Sequence, residues 1–169
     1  LNIAASASAS PFAAETPFIP SDPQQVLEKL PTAATDPTMR ELRELRRQLS
    51  ERPDDLESAL QVARRNIAVG RSEADPRYYG YAQAALEPWT QQASPPPDVL
   101  LLRAVLRQNR HDFTGALADL QQVLALRPRH AQAWLTKAVI QQVQGEPVAA
   151  ARSCMALRRL TDALLFNAC

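Results

Sequence analysis

Two cysteines, two histidines and three groups of arginines are the residues whose chemistry could matter first. Cys154 and Cys169 stand fifteen positions apart. They can close a disulfide in an oxidising compartment or stay as small buried thiols. Redox catalysis is not expected of them, because no CxxC spacing and no activating base accompanies them. His111 and His130 have no carboxylate or cysteine at ligand spacing, so no metal is expected, and none of the four scattered glycines builds a phosphate loop. Asp112 beside His111 reads as a helix cap rather than as part of a triad. Arg43, Arg46 and Arg47 interleave with Glu41 and Glu44 at helical spacing, which reads as a solvated, ion-paired face. Arg64 with Arg65 and Arg158 with Arg159 form smaller basic spots. A net charge of +1 removes any global reason to expect nucleic acid or an anionic membrane as partner. No cofactor is expected, and the chain reads as a non-enzyme.

Positioning those residues falls to helices. Aromatics make up 5% of 169 residues, while Ala, Leu, Gln and Arg dominate. The expected fold class is therefore all-α. No run of eighteen apolar residues could span a bilayer. Helix starts are written into the sequence. Asp22-Pro23, Asp36-Pro37 and Asp75-Pro76 each set a capping carboxylate before a proline, whose missing N–H is not needed there. Asp54 with Glu57 has capping-box spacing, and Glu146-Pro147 offers another proline start. Helices are expected over 22–30, 37–51, 54–70, 76–93, 97–109, 113–126, 131–144, 147–160 and from 162 onward. Linkers of two to six residues make neighbours pack as antiparallel hairpins. Residues 1–20 carry Pro11, Pro17 and Pro20 and no periodicity, which predicts an extended arm. Phe12 and Phe18 are its candidate anchors.

Internal similarity organises the rest. A shift of 34 superimposes Pro97–His130 on Ala131–Leu164. Ala104 falls on Ala138, Ala116 on Ala150, Leu120 on Cys154 and Val123 on Leu157. Small residues recur where two helices of a hairpin approach, and larger apolar ones where one hairpin meets the next. The pattern resembles the tetratricopeptide repeat, with Leu100, Ala104, Ala116, Leu120, Val123 and Pro128 in one unit. The other supplies Trp134, Ala138, Gly145, Ala150, Cys154 and Leu157. Arg103, Lys137, Arg107 and Gln141 depart from that pattern. An earlier unit begins at Pro53 with Val62, Ala63 and Gly70, and continues with Ala82, Leu86 and Trp89 after an insertion of about seven residues. The stretch GRSEADPRYYGYAQAALEPW resembles a segment of bacterial repeat proteins.

The resemblance implies a right-handed superhelix of helix hairpins, an α-solenoid with an extended N-terminal arm. Its organisation would be an arm over 1–20, N-terminal helices over 21–52 and repeats over 53–96, 97–130 and 131–164, with a further helix starting beyond. It also implies a concave groove lined by each unit's first helix. Carried over, that groove holds Glu57, Leu60, Arg64, Ile67 and Ala68, then Asp98, Leu101, Val105, Gln108 and Asn109, then Gln132, Leu135, Val139, Gln142 and Val143. The Lys and Asn of a carboxylate clamp are replaced by Leu101, Val105, Leu135 and Val139, so an apolar protein segment is the expected ligand. Cys154 would face the helix that carries Cys169, which makes their bridge geometrically feasible.

The functional expectation is a non-catalytic protein-interaction scaffold. A self-associating module with its groove covered by its own arm is the alternative. The Ala-x-Ala spacing at Ala5–Ala7 and Ala7–Ala9, together with the cysteines, points to an exported, periplasmic protein, with a cytoplasmic location as the alternative.

Overall fold

The computed structural model describes residues 19–22, 24–25, 36–158, 160 and 169. The expected arm over 1–20, the helix over 22–30 and the one from 162 onward lie wholly or mostly outside them. The chain divides into two units, Leu1–Thr32 and Ala33–Cys169. Within the first, the Asp22 carboxylate accepts from the Gln24 N–H at 2.8 Å, a local turn.

The second unit is all helical among its described residues. It comprises α1 (Pro37–Glu51), α2 (Leu56–Ser72), α3 (Arg77–Thr90), α4 (Pro97–Asn109), α5 (Phe113–Leu126), α6 (Ala131–Val143) and α7 (Pro147–Leu157). Helices α2 and α3, α4 and α5, and α6 and α7 pair as hairpins. Helix α1 packs on α2, and the first helices α2, α4 and α6 also touch in series.

Caps decide where the helices begin. The Asp36 carboxylate accepts from the Thr38 N–H at 2.8 Å, and Asp112 accepts from Gly115 at 2.9 Å. Asp75 accepts from Arg77 at 3.0 Å, so its turn precedes α3 as the Asp-Pro signal implies. One start moves. The α2 cap is Asp55, which accepts from Glu57 N–H and from Ser58 Oγ at 2.6 Å, not Asp54. A turn closed by Asp55 N–H on the Arg52 carbonyl pulls the chain one residue further before the helix begins.

Close approach is where the small residues go. Ala63, Ala82, Ala104, Ala116, Ala138 and Ala150 are all buried; the apolar Leu86, Leu120 and Val123 fill the seams between hairpins, and Leu157 is buried on α7. One cluster joins α2, α3 and α4 around Ala63, Ile67, Leu86 and Trp89. The next joins α4, α5 and α6 around Leu100, Ala116, Leu120 and Ile140.

The seven extra residues of the first hairpin are accommodated inside its helices. Beyond its buried alanine, α2 runs four residues further than α4, and α3 starts two residues earlier relative to its own alanine than α5. The connecting turn takes one more. Gly70 therefore sits within α2 rather than ending it. A Cβ there would meet Tyr79 Cε1 at 3.0 Å and Tyr78 Cβ at 3.2 Å, so glycine lets α3 lie against the lengthened helix.

Candidate functional site

The carried-over groove residues lie along one side of α2, α4 and α6, but they are not equally available. Leu60, Ile67, Leu101 and Val105 are buried, with Leu101 the most accessible of them at 9%. The cause is the serial packing of the first helices. Residues pointing between α2 and α4, or between α4 and α6, are consumed by those seams before they can line a groove. Apolar surface remains on α6, where Leu135 is half-buried and Val139 is 37% exposed. Gln132, Gln142 and Val143 beside them are exposed, as is Asn109, while Gln108 is half-buried.

The α2 end of the same side is charged. Arg64 lies 3.5 Å from Glu57 and 4.0 Å from Asp98, and Arg127 reaches Asp98 at 2.9 Å. These exposed pairs neutralise one another and add little to stability. The face thus grades from paired charges at α2 to open aliphatic and amide groups at α6.

A buried polar couple inside the hairpins is what reading the sequence missed. Asp119 on α5 is only 1% exposed. It accepts from Arg103 Nε and Nη2 at 2.9 and 2.7 Å, and from Arg107 Nη1 at 2.8 Å. Arg103 also donates to the Thr90 carbonyl and Arg107 to that of Gly115, at 3.1 and 3.0 Å. The carboxylate beside it raises the Arg103 pKa further above its ordinary value, chiefly through their hydrogen bond. One repeat on, the equivalent residues are Gln141 and Ser153, both buried, and Ser153 Oγ lies 2.7 Å from Gln141 Oε1. In the first hairpin Asn66 occupies the place of Arg107. It is fully buried, accepts from Arg46 at 2.9 Å and donates to the Val62 carbonyl. The signal was present as recurring departures from the repeat pattern at Asn66, Arg107 and Gln141.

Tyr78, Tyr79 and Tyr81 tie α1 and α2 to α3. Tyr78 and Tyr81 meet edge-to-face at 5.9 Å, and the Arg46 guanidinium lies 4.6 Å from the Tyr81 ring centre. Tyr78 donates its hydroxyl to Met39 Sδ at 3.3 Å, and Tyr79 packs on the core. Beside them a largely apolar cleft of about 420 Å³ opens between α1 and α3, with Leu49, Pro53, Tyr81, Pro88 and Trp89 in its walls.

Both histidines serve local structure. His130 caps α6, with Nδ1 accepting from the Ala133 N–H at 3.3 Å. His111 turns the chain at φ 61° and stacks edge-on against Phe113 at 5.5 Å. Among the described residues no group of three His, Cys, Asp or Glu is placed to hold a metal ion, and no helix is long and apolar enough to cross a membrane. Cys154 and Cys169 are joined in a disulfide with their Cα atoms 5.6 Å apart.

Hairpins closed on matched small residues and stacked through larger apolar ones define a helical-repeat fold of the tetratricopeptide type. Solved structures of MamA, a tetratricopeptide-repeat protein, share it. One, reported as the crystal structure of MamA, superimposes with a TM-score of 0.57 at 15% identity, over 71% of this chain and 66% of that one. MamA AMB-1 gives 0.53 at 19% identity over 75% and 67%, and MamA MSR-1 gives 0.50 at 18% over 76% and 70%. The chain thus spans about two thirds of the length of these proteins. At such identities the likeness concerns the fold. No protein-family model matches the chain, and no curated protein matches it.

Proposed function

We infer that this protein is a non-catalytic scaffold that binds an apolar segment of a protein partner along the side formed by α2, α4 and α6. The observation that carries this reading is the row of unburied groups on α6. Leu135 and Val139 offer an aliphatic strip flanked by the amides of Gln132 and Gln142. An extended or helical segment could bury its apolar side chains on the strip while the amides bond its backbone. The paired charges at Glu57, Arg64, Asp98 and Arg127 would mark the polar end of the site. Its place of work is the cell envelope of a bacterium. The Cys154–Cys169 disulfide supports that reading, since such bonds persist in oxidising compartments.

The test is selective loss of a partner. Wild-type chain, Val139→Glu, Leu135→Glu and the control Gln122→Glu at an exposed position of α5 would each be used to capture proteins from envelope extract. A partner recovered by wild type and control but lost by both α6 variants supports the groove. Recovery by all four removes it. Leu101→Glu is unsuited, because a buried charge there would damage the fold itself. Light scattering across concentration decides against a self-associating module if the mass stays monomeric.

A further inference from the structure

A second cleft lies on the other side of α4 and closes against α3. Leu86 and Leu106 contribute apolar wall, Gln83 lies at one side, and Arg103, Arg107 and Arg110 supply three guanidinium groups around about 240 Å³. At 3.6 residues per turn Arg103 and Arg107 share a face of α4 directed away from Leu101 and Val105, and Arg110 follows at the C-cap of that helix. The cleft is therefore independent of the interaction side described above, and neither reading depends on the other.

More positive charge gathers here than the fold needs. Asp119 requires partners, and the next hairpin satisfies the equivalent place with an uncharged Gln141–Ser153 couple. One repeat on, the three arginines correspond to Lys137, Gln141 and Gln144, so the triple cluster belongs to α4 alone. Against three guanidinium groups stand the carboxylate of Asp119 and that of Asp112, 3.5 Å from Arg107 Nε. Among the described residues a surplus cation remains.

Donors also remain. Each guanidinium carries five N–H groups in a fixed fork. Arg107 directs Nη1 to both Gly115 and Asp119, and Arg110 uses Nη1 on Gln83 Oε1 at 2.8 Å. Nη2 of Arg107 and Nη2 and Nε of Arg110 have no hydrogen-bond acceptor among the described residues. The Gln83 amide nitrogen is likewise without one.

We propose that this cleft binds a phosphate group, held between Arg107 and Arg110 with the Gln83 amide as a further donor. Its volume lies below the roughly 300–1,000 Å³ typical of clefts that enclose drug-sized ligands, which suits one small group rather than a whole cofactor. A phosphate group presents three or more acceptor oxygens and up to about two negative charges at neutral pH. A carboxylate presents two oxygens and one charge, fewer than the donors available. The group can arrive as inorganic phosphate or as a phosphomonoester on a larger molecule. Because α3 and α4 belong to successive hairpins, occupancy would brace one repeat against the next.

Isothermal titration of the full chain with inorganic phosphate, O-phosphoserine and acetate, at matched ionic strength, tests this. Saturable binding of at least one phosphate ligand, tighter than acetate, is expected. Whichever phosphate binds more tightly identifies the source, free ion or ester. Arg110→Gln should raise the dissociation constant about tenfold, the scale of one charge-assisted hydrogen bond. Arg127→Gln, which removes an equal charge beside Asp98, should leave it unchanged. Among the described residues the Arg110 side chain bonds Gln83 alone, at the surface, so its variant should keep the wild-type circular dichroism. No saturation by either phosphate, equal affinity for acetate, or equal constants for Arg110→Gln and wild type would each overturn the proposal.

Discussion

Replacing Asp119 by Asn isolates the charge at the centre of the second hairpin while changing its shape little. Asn keeps one acceptor oxygen but sets an NH2 group against guanidinium donors. At least one of the three bonds at 2.7–2.9 Å is lost; Arg103 loses its counter-charge, and Arg107 keeps only the more distant Asp112 at 3.5 Å. Removing one member of a buried ion pair costs roughly 3–5 kcal/mol. Here the Arg103 and Arg107 side chains are 22% and 28% exposed, so water recovers part of that loss. A destabilisation of about 2–3 kcal/mol follows, with a Tm lower by roughly 5–10 °C for a chain of this size. Urea unfolding followed by circular dichroism at 222 nm measures it. A second variant checks the cause. Arg103→Met, Arg107→Met and Asp119→Leu together remove the buried carboxylate with both guanidinium groups and leave only the exposed Asp112 to solvent, so stability should return to within about 1 kcal/mol of wild type. Loss of less than about 1 kcal/mol in Asp119→Asn would refute the reasoning, because the carboxylate would then not be holding the hairpin.

Reduction of Cys154–Cys169, or its replacement by paired alanines, releases a loop whose ends are fifteen residues apart. It should cost about 3 kcal/mol on the chain-entropy model. Urea midpoints with and without reductant check this, and identical midpoints would contradict it. Hydrogen bonds from Arg47 lower the Glu44 pKa from 4.5 to about 2. A depressed carboxylate stabilises above its unfolded value and stops doing so as pH falls through the folded one. The α1 contribution should therefore fade between pH 4.5 and about 2, and Glu44→Gln should flatten helicity against pH in that window. Two glycines should respond oppositely to alanine. Gly145 sits at φ +74° with no neighbour within 4 Å, so Gly145→Ala should lose about 1 kcal/mol from backbone strain alone. Gly80 lies inside α3 in equally open space, so Gly80→Ala should gain about 0.5–1 kcal/mol. Thermal unfolding of the pair reports both signs.

The elements most open to sequence reading were those set by local chemistry. Proline after a capping carboxylate marked α1 at Pro37, and the α4 and α5 bounds follow from Pro97, Asp112 and the turn at His111. Alanines recurring every 34 positions placed the hairpins, because only a small side chain permits such approach. What escaped depends on distance in space. Nothing local distinguishes Gly70 as a site of close approach from Gly70 as a helix end until Tyr79 is brought against it. Leu60 and Val105 have the spacing of groove residues, yet the packing of α2 on α4 buries them. Asp119 reads as an ordinary surface acid of an amphipathic helix. Its partners lie sixteen and twelve residues back across a turn.

Those polar couples add something that apolar seams cannot supply. Leu and Ala contacts between two helices tolerate displacement by a turn, because one aliphatic surface replaces another at little cost. A buried donor and acceptor do not. Sliding α5 by a turn against α4 would strand the Asp119 carboxylate and two guanidinium groups. The same slip of α7 against α6 would strand Ser153 and Gln141. Each orphaned buried group costs about 1–3 kcal/mol or more, comparable with the margin by which a domain is folded at all. In the first hairpin Asn66 takes its partner from α1 through Arg46, so there the couple holds α1 against α2 rather than α2 against α3. Polar residues at this place thus select one alignment from several that the apolar pattern permits.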